Sequence, residues 1–221
     1  MTLSTLHQEN KQIMAFNEWT TQQLKRTFNL TTLDNCPQLE KWLDMPYQIS
    51  EKEQNFVEGL RKLAIKKIAF WNEEELKLHF LFPLLSSINY NTSTYSAFAE
   101  RTISVDIDAY RMNGKVDLMV ASGEYEPINP YFFFHEYKRE KGGADDPIGQ
   151  LLAAMLVGQT LNNDGKAVYG SYVIGRNWFF VVLQGKEYCI SNEFVSTRKD
   201  DLAQIVKVLN NMKSIIEDTL S

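Results

Sequence analysis

The sequence predicts an α/β fold in which a mixed central β-sheet is flanked by helices and preceded by a helical appendage. Two observations support this prediction. Apolar residues recur at helical spacing in the first 85 residues, after residue 146 and near the carboxyl end. Between these regions apolar residues alternate with polar ones or form short runs, which is typical of strands. Helices and strands thus follow one another in an order that favours an α/β domain.

Composition limits the classes of function. The chain has 221 residues, of which 44% are hydrophobic, and this is enough to bury a core. We find neither a signal-peptide pattern nor about eighteen consecutive apolar residues, so we expect no membrane segment and a cytoplasmic location. The formal net charge of −5 argues against tight nonspecific binding of nucleic acid, because such binding depends on Lys and Arg. Cys36 and Cys189 form no CxxC pattern, so we expect both to be reduced.

The N-terminal part is predicted to be helical. Its apolar residues at helical spacing are Ile13, Phe16, Trp19, Leu24 and Phe28. Leu39 and Trp42 then indicate a short second helix that ends before Pro46. We interpret residues 1–70 as a helical appendage and residues 71–221 as the main domain.

Two further helices are predicted, and each begins with a capping box. Ser50 and Glu53 mark the start of the first, which covers residues 51–70. Asn72 and Glu75 mark the start of the second.

An acidic residue lies on the inward face of the second helix, which is predicted to run to Leu85. Glu73 shares this face with Leu76 and Phe80, because it precedes them by three and seven positions. Glu75 is accounted for by capping, so Glu73 is the better candidate for a site.

A long strand is predicted from Tyr95 to Met112. Asn113-Gly114 predicts a tight hairpin turn that leads into the next strand at Lys115. Asp106 and Asp108 alternate with apolar residues in the long strand, so we interpret them as its solvent side rather than as ligands.

The stretch from Lys115 to Lys141 contains the best candidate for a functional site. Residues 116–121 and 131–138 are rich in β-prone residues, and the residues between them favour a turn. The sequence therefore predicts two neighbouring strands, with Asp117 on the first.

The second of these strands ends with charged residues on a mostly apolar face. Glu136 and Lys138 share this face with Phe132 and Phe134, because side chains alternate along a strand. Charged groups are costly to desolvate without a partner, so we expect Glu136 and Lys138 to be paired or functional.

Asp117 would bring a second carboxylate close to Glu136. Two close carboxylates repel each other unless a proton or a cation lies between them, so one of them is expected to have a raised pKa. Replacing Asp117 with Asn should then relieve repulsion. Oxygen ligands of this kind suit Mg²⁺ or Mn²⁺, and the lysine could steady a metal-activated water or a phosphate charge. This is the chemistry of phosphodiester hydrolysis.

Asp117 followed by Glu136-Tyr137-Lys138 resembles the motif of the PD-(D/E)XK nuclease superfamily. The resemblance implies a restriction-endonuclease-like core in residues 71–221. It also implies that Asp117 and Glu136 hold the metal with the Tyr137 carbonyl, and that Lys138 orients the attacking water.

The segment from Asn72 to Tyr90 is similar to the start of the nuclease domain in the R subunits of type I restriction endonucleases. On that match Glu73 takes the acidic position, Lys77 the basic one and Pro83-Leu84-Leu85 the apolar end. The resemblance therefore implies that Glu73 completes the catalytic set.

Substrate contacts are expected around the same site. Related nucleases often have a glutamine on the next helix, where Gln150 lies here, although Ala154 replaces the tyrosine of their QxxxY motif. Lys115, Arg139 and Lys141 cluster in sequence near the motif and are candidates to bind phosphate.

The remaining elements are predicted from their own local signals. Asp145 or Asp146 should cap a helix that begins with Pro147 and ends near Leu161. Three strands and a helix should follow, at residues 168–174, 178–183, 187–190 and from about 197 onward.

The sequence thus predicts a nuclease that depends on Mg²⁺ or Mn²⁺ and cleaves DNA, with RNA as an alternative substrate. A homodimer is one option for its oligomeric state. The alternative is a nuclease-fold protein that has lost catalysis and serves as a nucleic-acid-binding or assembly module.

Overall fold

A mixed β-sheet lies at the centre of the computed structural model, which describes residues 11–141 and 146–221. Its strands in these residues are β1 (Gln12–Ala15), β2 (Thr31–Thr32), β3 (Tyr95–Ile107), β4 (Tyr110–Ser122), β5 (Ile128–Lys138), β6 (Val168–Ile174), β7 (Asn177–Gln184), β8 (Glu187–Ile190) and β9 (Phe194–Val195). The helices are α1 (Thr21–Phe28), α2 (Pro37–Asp44), α3 (Glu51–Lys67), α4 (Glu73–Leu76), α5 (Phe82–Ile88), α6 (Pro147–Asn162) and α7 (Lys199–Leu220), with a 3-10 turn at Phe16–Glu18 and a π-helical turn at Lys77–Leu81. The predicted α/β class with helices around a mixed sheet is confirmed.

The middle of the sheet is built from four strands in chain order. β3 pairs with β4 and β4 with β5 in antiparallel fashion, whereas β5 and β6 are parallel. Two parallel neighbours need a crossover, and α6 forms it. β7 and β8 then continue the sheet in antiparallel fashion, and the short strands β1 and β2 pair in parallel with β4 and β8.

Helices cover both faces of the sheet and bury two apolar clusters. The larger cluster lies between the sheet and α2, α3, α5 and α7, with Trp42, Phe133 and Phe180 among its members. The second lies under α1 and α6 and includes Phe134 and Leu152. α6 is buried on most of its circumference, because the sheet lies on one side of it and the N-terminal segment on the other.

The N-terminal segment is less helical than predicted. Residues 12–15 form strand β1, and Ile13 is 65% exposed instead of belonging to a buried stripe. The extended backbone of β1 pairs with β4, so its side chains do not follow a helical period. The other predicted stripe residues, from Phe16 to Phe28, are buried, and the short second helix is confirmed as α2.

The division between an appendage of residues 1–70 and a domain of residues 71–221 stays a prediction. In the described residues, both parts contribute to one sheet and to both apolar clusters. Trp42 makes edge-on ring contacts with Phe133, Tyr169 and Phe180, at centroid distances of 5.1–5.5 Å.

The predicted hairpin turn at Asn113-Gly114 is wrong. Both residues lie inside β4, and the turn is formed by Asp108 and Ala109, where Asp108 has a left-handed φ of 50°. Aspartate tolerates that conformation. Gly114 is needed for a different reason, because a Cβ at this position would overlap the ring of Phe16.

A β-bulge changes the predicted face of Phe132. Ala121 pairs with Tyr131 and Val120 with Phe133, which leaves Phe132 as the extra residue. Its side chain consequently joins the larger cluster rather than the face that carries Glu136 and Lys138.

Both capping boxes predicted for the helices are confirmed, but the second helix is not regular. Asn72 and Glu75 cap each other's backbone N–H groups at 2.8 Å, and α4 then passes through the π-helical turn into α5. Pro83 follows this turn and has no N–H to donate to the preceding helix. Prolines and π-helical turns are both common causes of a local break in a regular helix.

The C-terminal half agrees with the predictions. Asp146 caps α6 by accepting a hydrogen bond from the Gly149 N–H at 2.9 Å, while Asp145 lies outside the described residues. β6, β7, β8 and α7 all lie within a few residues of their predicted bounds.

The prediction that the two cysteines are reduced is wrong. Cys36 and Cys189 are joined by a disulfide, with their Cα atoms 6.2 Å apart. Cys36 precedes α2 and Cys189 lies in β8, so the packing of α2 against the sheet brings them together. Because the two cysteines are 153 residues apart in the sequence, no local pattern indicates this disulfide.

Candidate active site

Most of the site residues predicted from the sequence line one cavity of about 340 Å³, to which four separate elements contribute them. Asp117 comes from β4, Glu136 and Lys138 from β5, Glu73 from α4 and Gln150 from α6. The remaining lining is formed by Ala15, Phe16, Asn17, Gly114 and Lys115. Glu75 faces solvent, which agrees with its predicted role in capping.

Strand register brings Asp117 and Glu136 side by side. Leu118 pairs with His135, so the next residues on the two antiparallel strands are Asp117 and Glu136. Asp117 is held from two directions, because its Oδ2 accepts a hydrogen bond from the Tyr137 N–H at 2.9 Å and its Oδ1 accepts one from Lys77 Nζ at 2.9 Å.

Glu136 is a buried carboxyl group with a strongly raised pKa. It is only 3% exposed, and burial and then the charge of Asp117 raise its pKa to about 8. Lys138 Nζ lies 2.9 Å from Glu136 Oε1 and opposes this rise without cancelling it. Lys138 and Glu136 thus form a close ion pair, but the geometry at Glu136 Oε1 is not that of a hydrogen bond. Glu136 can therefore bind or release a proton near neutral pH, as expected for one of two neighbouring carboxylates.

Lys77 is a buried cation beside this pair. Burial lowers the pKa of Lys77, but the hydrogen bonds and charges of Asp117 and Glu100 outweigh burial and raise it above its ordinary value. Lys77 therefore stays charged beside these two carboxylates. This pairing reverses the expectation for Asp117→Asn, because the substitution would leave a buried ammonium without its closest partner.

The predicted substrate contacts are only partly brought together. Lys115 and Gln150 line the cavity, and Lys115 Nζ also pairs with Glu100 at 3.0 Å. Arg139 and Lys141 are exposed in the segment after β5, and the lining formed by the described residues does not include them. The side chain of Tyr137 points into the larger core cluster, so only its backbone is directed to the site.

The roles of Lys77 and Glu100 in the site are not evident from the sequence. Lys77 lies four residues after Glu73, and that spacing allows an ion pair on a helix. The structure gives this pair a distance of 3.4 Å. Glu100 carries no signal in the sequence, because it meets Lys77 only through the tertiary fold; it lies in β3 with a left-handed φ of 56° and its carboxylate is 3.3 Å from Lys77 Nζ.

The donor set fits a divalent cation in its chemistry. Asp117 and Glu136 are adjacent carboxylates at the wall of a polar cavity, and hard cations such as Mg²⁺ accept two carboxylates with waters as further ligands. Within residues 11–141 and 146–221, no group of three or more His, Cys, Asp or Glu side chains is arranged to hold a metal ion. Any metal in this cavity would thus depend on a small number of protein ligands.

Comparison with known proteins does not identify a family. No protein-family model matches the chain, and no curated protein matches it in sequence. No helix within the described part of the chain combines the length and the apolar character that crossing a membrane requires.

Proposed function

We propose that the protein is a metal-dependent nuclease of the PD-(D/E)XK type that hydrolyses phosphodiester bonds in DNA. The observation that carries this proposal is the convergence of Glu73, Asp117, Glu136, Lys138 and Gln150 on one cavity. These residues come from four elements that are far apart in the sequence. Chance matches to a short motif have no reason to converge in this way.

The connectivity around the cavity supports the same proposal. A helix that carries Glu73 precedes three consecutive antiparallel strands, and α6 then crosses to a parallel strand. This is the order of elements expected from the resemblance to restriction-endonuclease-like cores. Asp117 and the Glu136-Tyr137-Lys138 segment lie on the second and third of these strands, as that resemblance requires.

Each residue has a distinct role in the proposed reaction. Asp117 and Glu136 would hold Mg²⁺ or Mn²⁺, which supplies an activated water and offsets negative charge on the phosphate. The Lys138 ammonium lines the cavity and can stabilise charge that develops on the phosphoryl oxygens. Glu73 also lines the cavity, where it can orient water, and Gln150 can donate a hydrogen bond to the substrate.

The direct test is cleavage of plasmid, linear and single-stranded DNA, and of RNA, with Mg²⁺, Mn²⁺ or EDTA. We expect metal-dependent cleavage, and a loss of about a hundredfold or more in rate for Asp117→Ala, Glu136→Gln and Lys138→Met. Glu73→Gln should also lower the rate. Glu75→Gln is its matched control, because it removes the same charge from the same helix on the side that faces solvent instead of the cavity.

The result that contradicts this proposal is equally specific. Cleavage that persists in the Asp117, Glu136 and Lys138 variants would exclude this cavity as the active site. Circular dichroism of each variant would show whether a loss of activity reflects chemistry or unfolding.

A second candidate is a nuclease-fold protein that binds nucleic acid without cleaving it. The observation that favours it is the pairing of both carboxylates with lysines, since Lys77 contacts Asp117 and Lys138 contacts Glu136. A DNA complex that forms without cleavage, together with the absence of Mn²⁺ binding by the folded protein, would favour this candidate.

A further inference from the structure

The ammonium group of Lys77 lies among four carboxylates. Its Nζ is 2.9 Å from Asp117, 3.3 Å from Glu100, 3.4 Å from Glu73 and 3.5 Å from Glu74. The Lys77 side chain is only 5% exposed. One buried cation thus balances much of the negative charge at this edge of the site.

The backbone is irregular on both sides of this ammonium. The π-helical turn begins at Lys77 itself, where the Phe82 N–H donates to the Lys77 carbonyl five residues back. Glu100 has the left-handed conformation, which is unfavourable for a residue with a Cβ. Both kinds of irregularity occur often at functional sites. The local structure thus accepts unfavourable backbone geometry on both sides of this ammonium.

The four carboxylates fall into two groups. Glu73 and Asp117 line the cavity, whereas Glu74 and Glu100 do not. Lys77 therefore lies at the boundary between the cavity and an outer pair of carboxylates. A small shift of the ammonium away from the cavity would break its contacts with Glu73 and Asp117, while its contacts with Glu74 and Glu100 would remain.

We propose that Lys77 competes with the metal ion for Asp117. The metal binds Asp117 only when the Lys77 ammonium moves away from Asp117 and Glu73 towards Glu74 and Glu100. The inference rests on the proposed function, because it assumes that Asp117 is a metal ligand. Two cations so close to one carboxylate repel each other, so the metal and Lys77 bind Asp117 in competition. Without metal, Lys77 keeps the acidic site folded.

Metal affinity is the measurement that tests this proposal without any cleavage assay. Mn²⁺ binding to the full chain is followed by electron paramagnetic resonance of the free ion for wild type, Lys77→Met and Lys115→Met. Lys115 is the matched control, because it also pairs with Glu100 and lines the cavity but makes no ion pair with Asp117. We expect Lys77→Met to bind Mn²⁺ about tenfold more tightly than wild type, and Lys115→Met to differ from wild type by less than about twofold.

The outcomes separate this inference from the proposed function. Equal Mn²⁺ affinity in wild type and Lys77→Met would overturn the competition and leave the nuclease proposal intact. Equally enhanced binding in both lysine variants would also overturn it, because the effect would then be one of general charge. A lack of Mn²⁺ binding in every variant would overturn the metal site itself.

A second measurement applies if Lys77→Met does not fold. Lysine side-chain ¹³C resonances of the wild type are followed during a titration with diamagnetic Mg²⁺, and the Lys77 signal is assigned with Lys77→Arg. We expect the chemical shifts of the Lys77 side chain to change as Mg²⁺ saturates the site. Resonances that stay in place while Mg²⁺ binds would overturn the proposal.

Discussion

The buried carboxyl group of Glu136 should make the stability of the metal-free protein depend on pH. In the unfolded chain its pKa is about 4.5, whereas burial and the neighbouring Asp117 raise the folded value to about 8. Between these two values the folded protein holds a proton that the unfolded chain has lost. Unfolding therefore releases a proton, and the free energy of unfolding falls as the pH rises through this window. This stabilisation is complete below pH 4.5 and is lost by about pH 8.

The magnitude follows from the two pKa values. Each pH unit between them lowers the free energy of unfolding by about 1.4 kcal/mol, so the whole window corresponds to about 5 kcal/mol. Glu136→Gln removes this titration, because glutamine stays neutral at every pH. For a chain of this length, about 5 kcal/mol corresponds to roughly 10–20 °C in Tm. Between pH 4.5 and 8, the Tm of wild type should therefore fall by about this amount relative to the Tm of Glu136→Gln.

The assay is thermal unfolding in EDTA at several pH values from 4.5 to 8.5, for wild type and Glu136→Gln. We expect the difference in Tm between the two proteins to change steadily across this range in favour of the variant. Glu187→Gln is the control, because Glu187 is exposed in β8 and should leave the pH dependence of wild type unchanged. Parallel curves for wild type and Glu136→Gln would refute the assignment of a protonated Glu136.

Two further predictions concern contacts that hold the site in place. Asp117→Asn should lower the free energy of unfolding in EDTA by about 2–4 kcal/mol, as measured with urea, because it leaves the buried Lys77 without its closest carboxylate; unchanged stability would contradict this role. Gly114→Ala should cost about 1–3 kcal/mol in the same assay, because the new methyl group overlaps Phe16. Gly59→Ala is its control, since its Cβ would meet no atom within 4 Å and alanine favours the helix; equal effects of both substitutions would argue against the clash.

Local elements were the most predictable part of this protein. The capping boxes at Ser50 and Asn72 and the Asp146 cap of α6 involve residues that are close in sequence, so their signals are visible without a fold. The alternation in β5 also predicted that Glu136 and Lys138 share a face, and both line the same cavity. Where a local signal failed, at Asn113-Gly114, a tertiary contact with Phe16 explained the glycine better than a turn did.

The resemblance of the motif to a nuclease family singled out the candidates Glu73, Asp117, Glu136, Lys138 and Gln150. From residue 51 onward, residue patterns predicted most helices and strands in their order, together with the caps that begin several helices. These features depend on residue type, spacing and backbone propensity within a few positions. The tertiary structure alone decided which charges neutralise one another. The ion pair of Lys77 with Asp117 spans 40 residues and the disulfide of Cys36 with Cys189 spans 153. Such contacts arise when packed helices and strands bring distant side chains within a few ångströms, and no local pattern of residues encodes that distance.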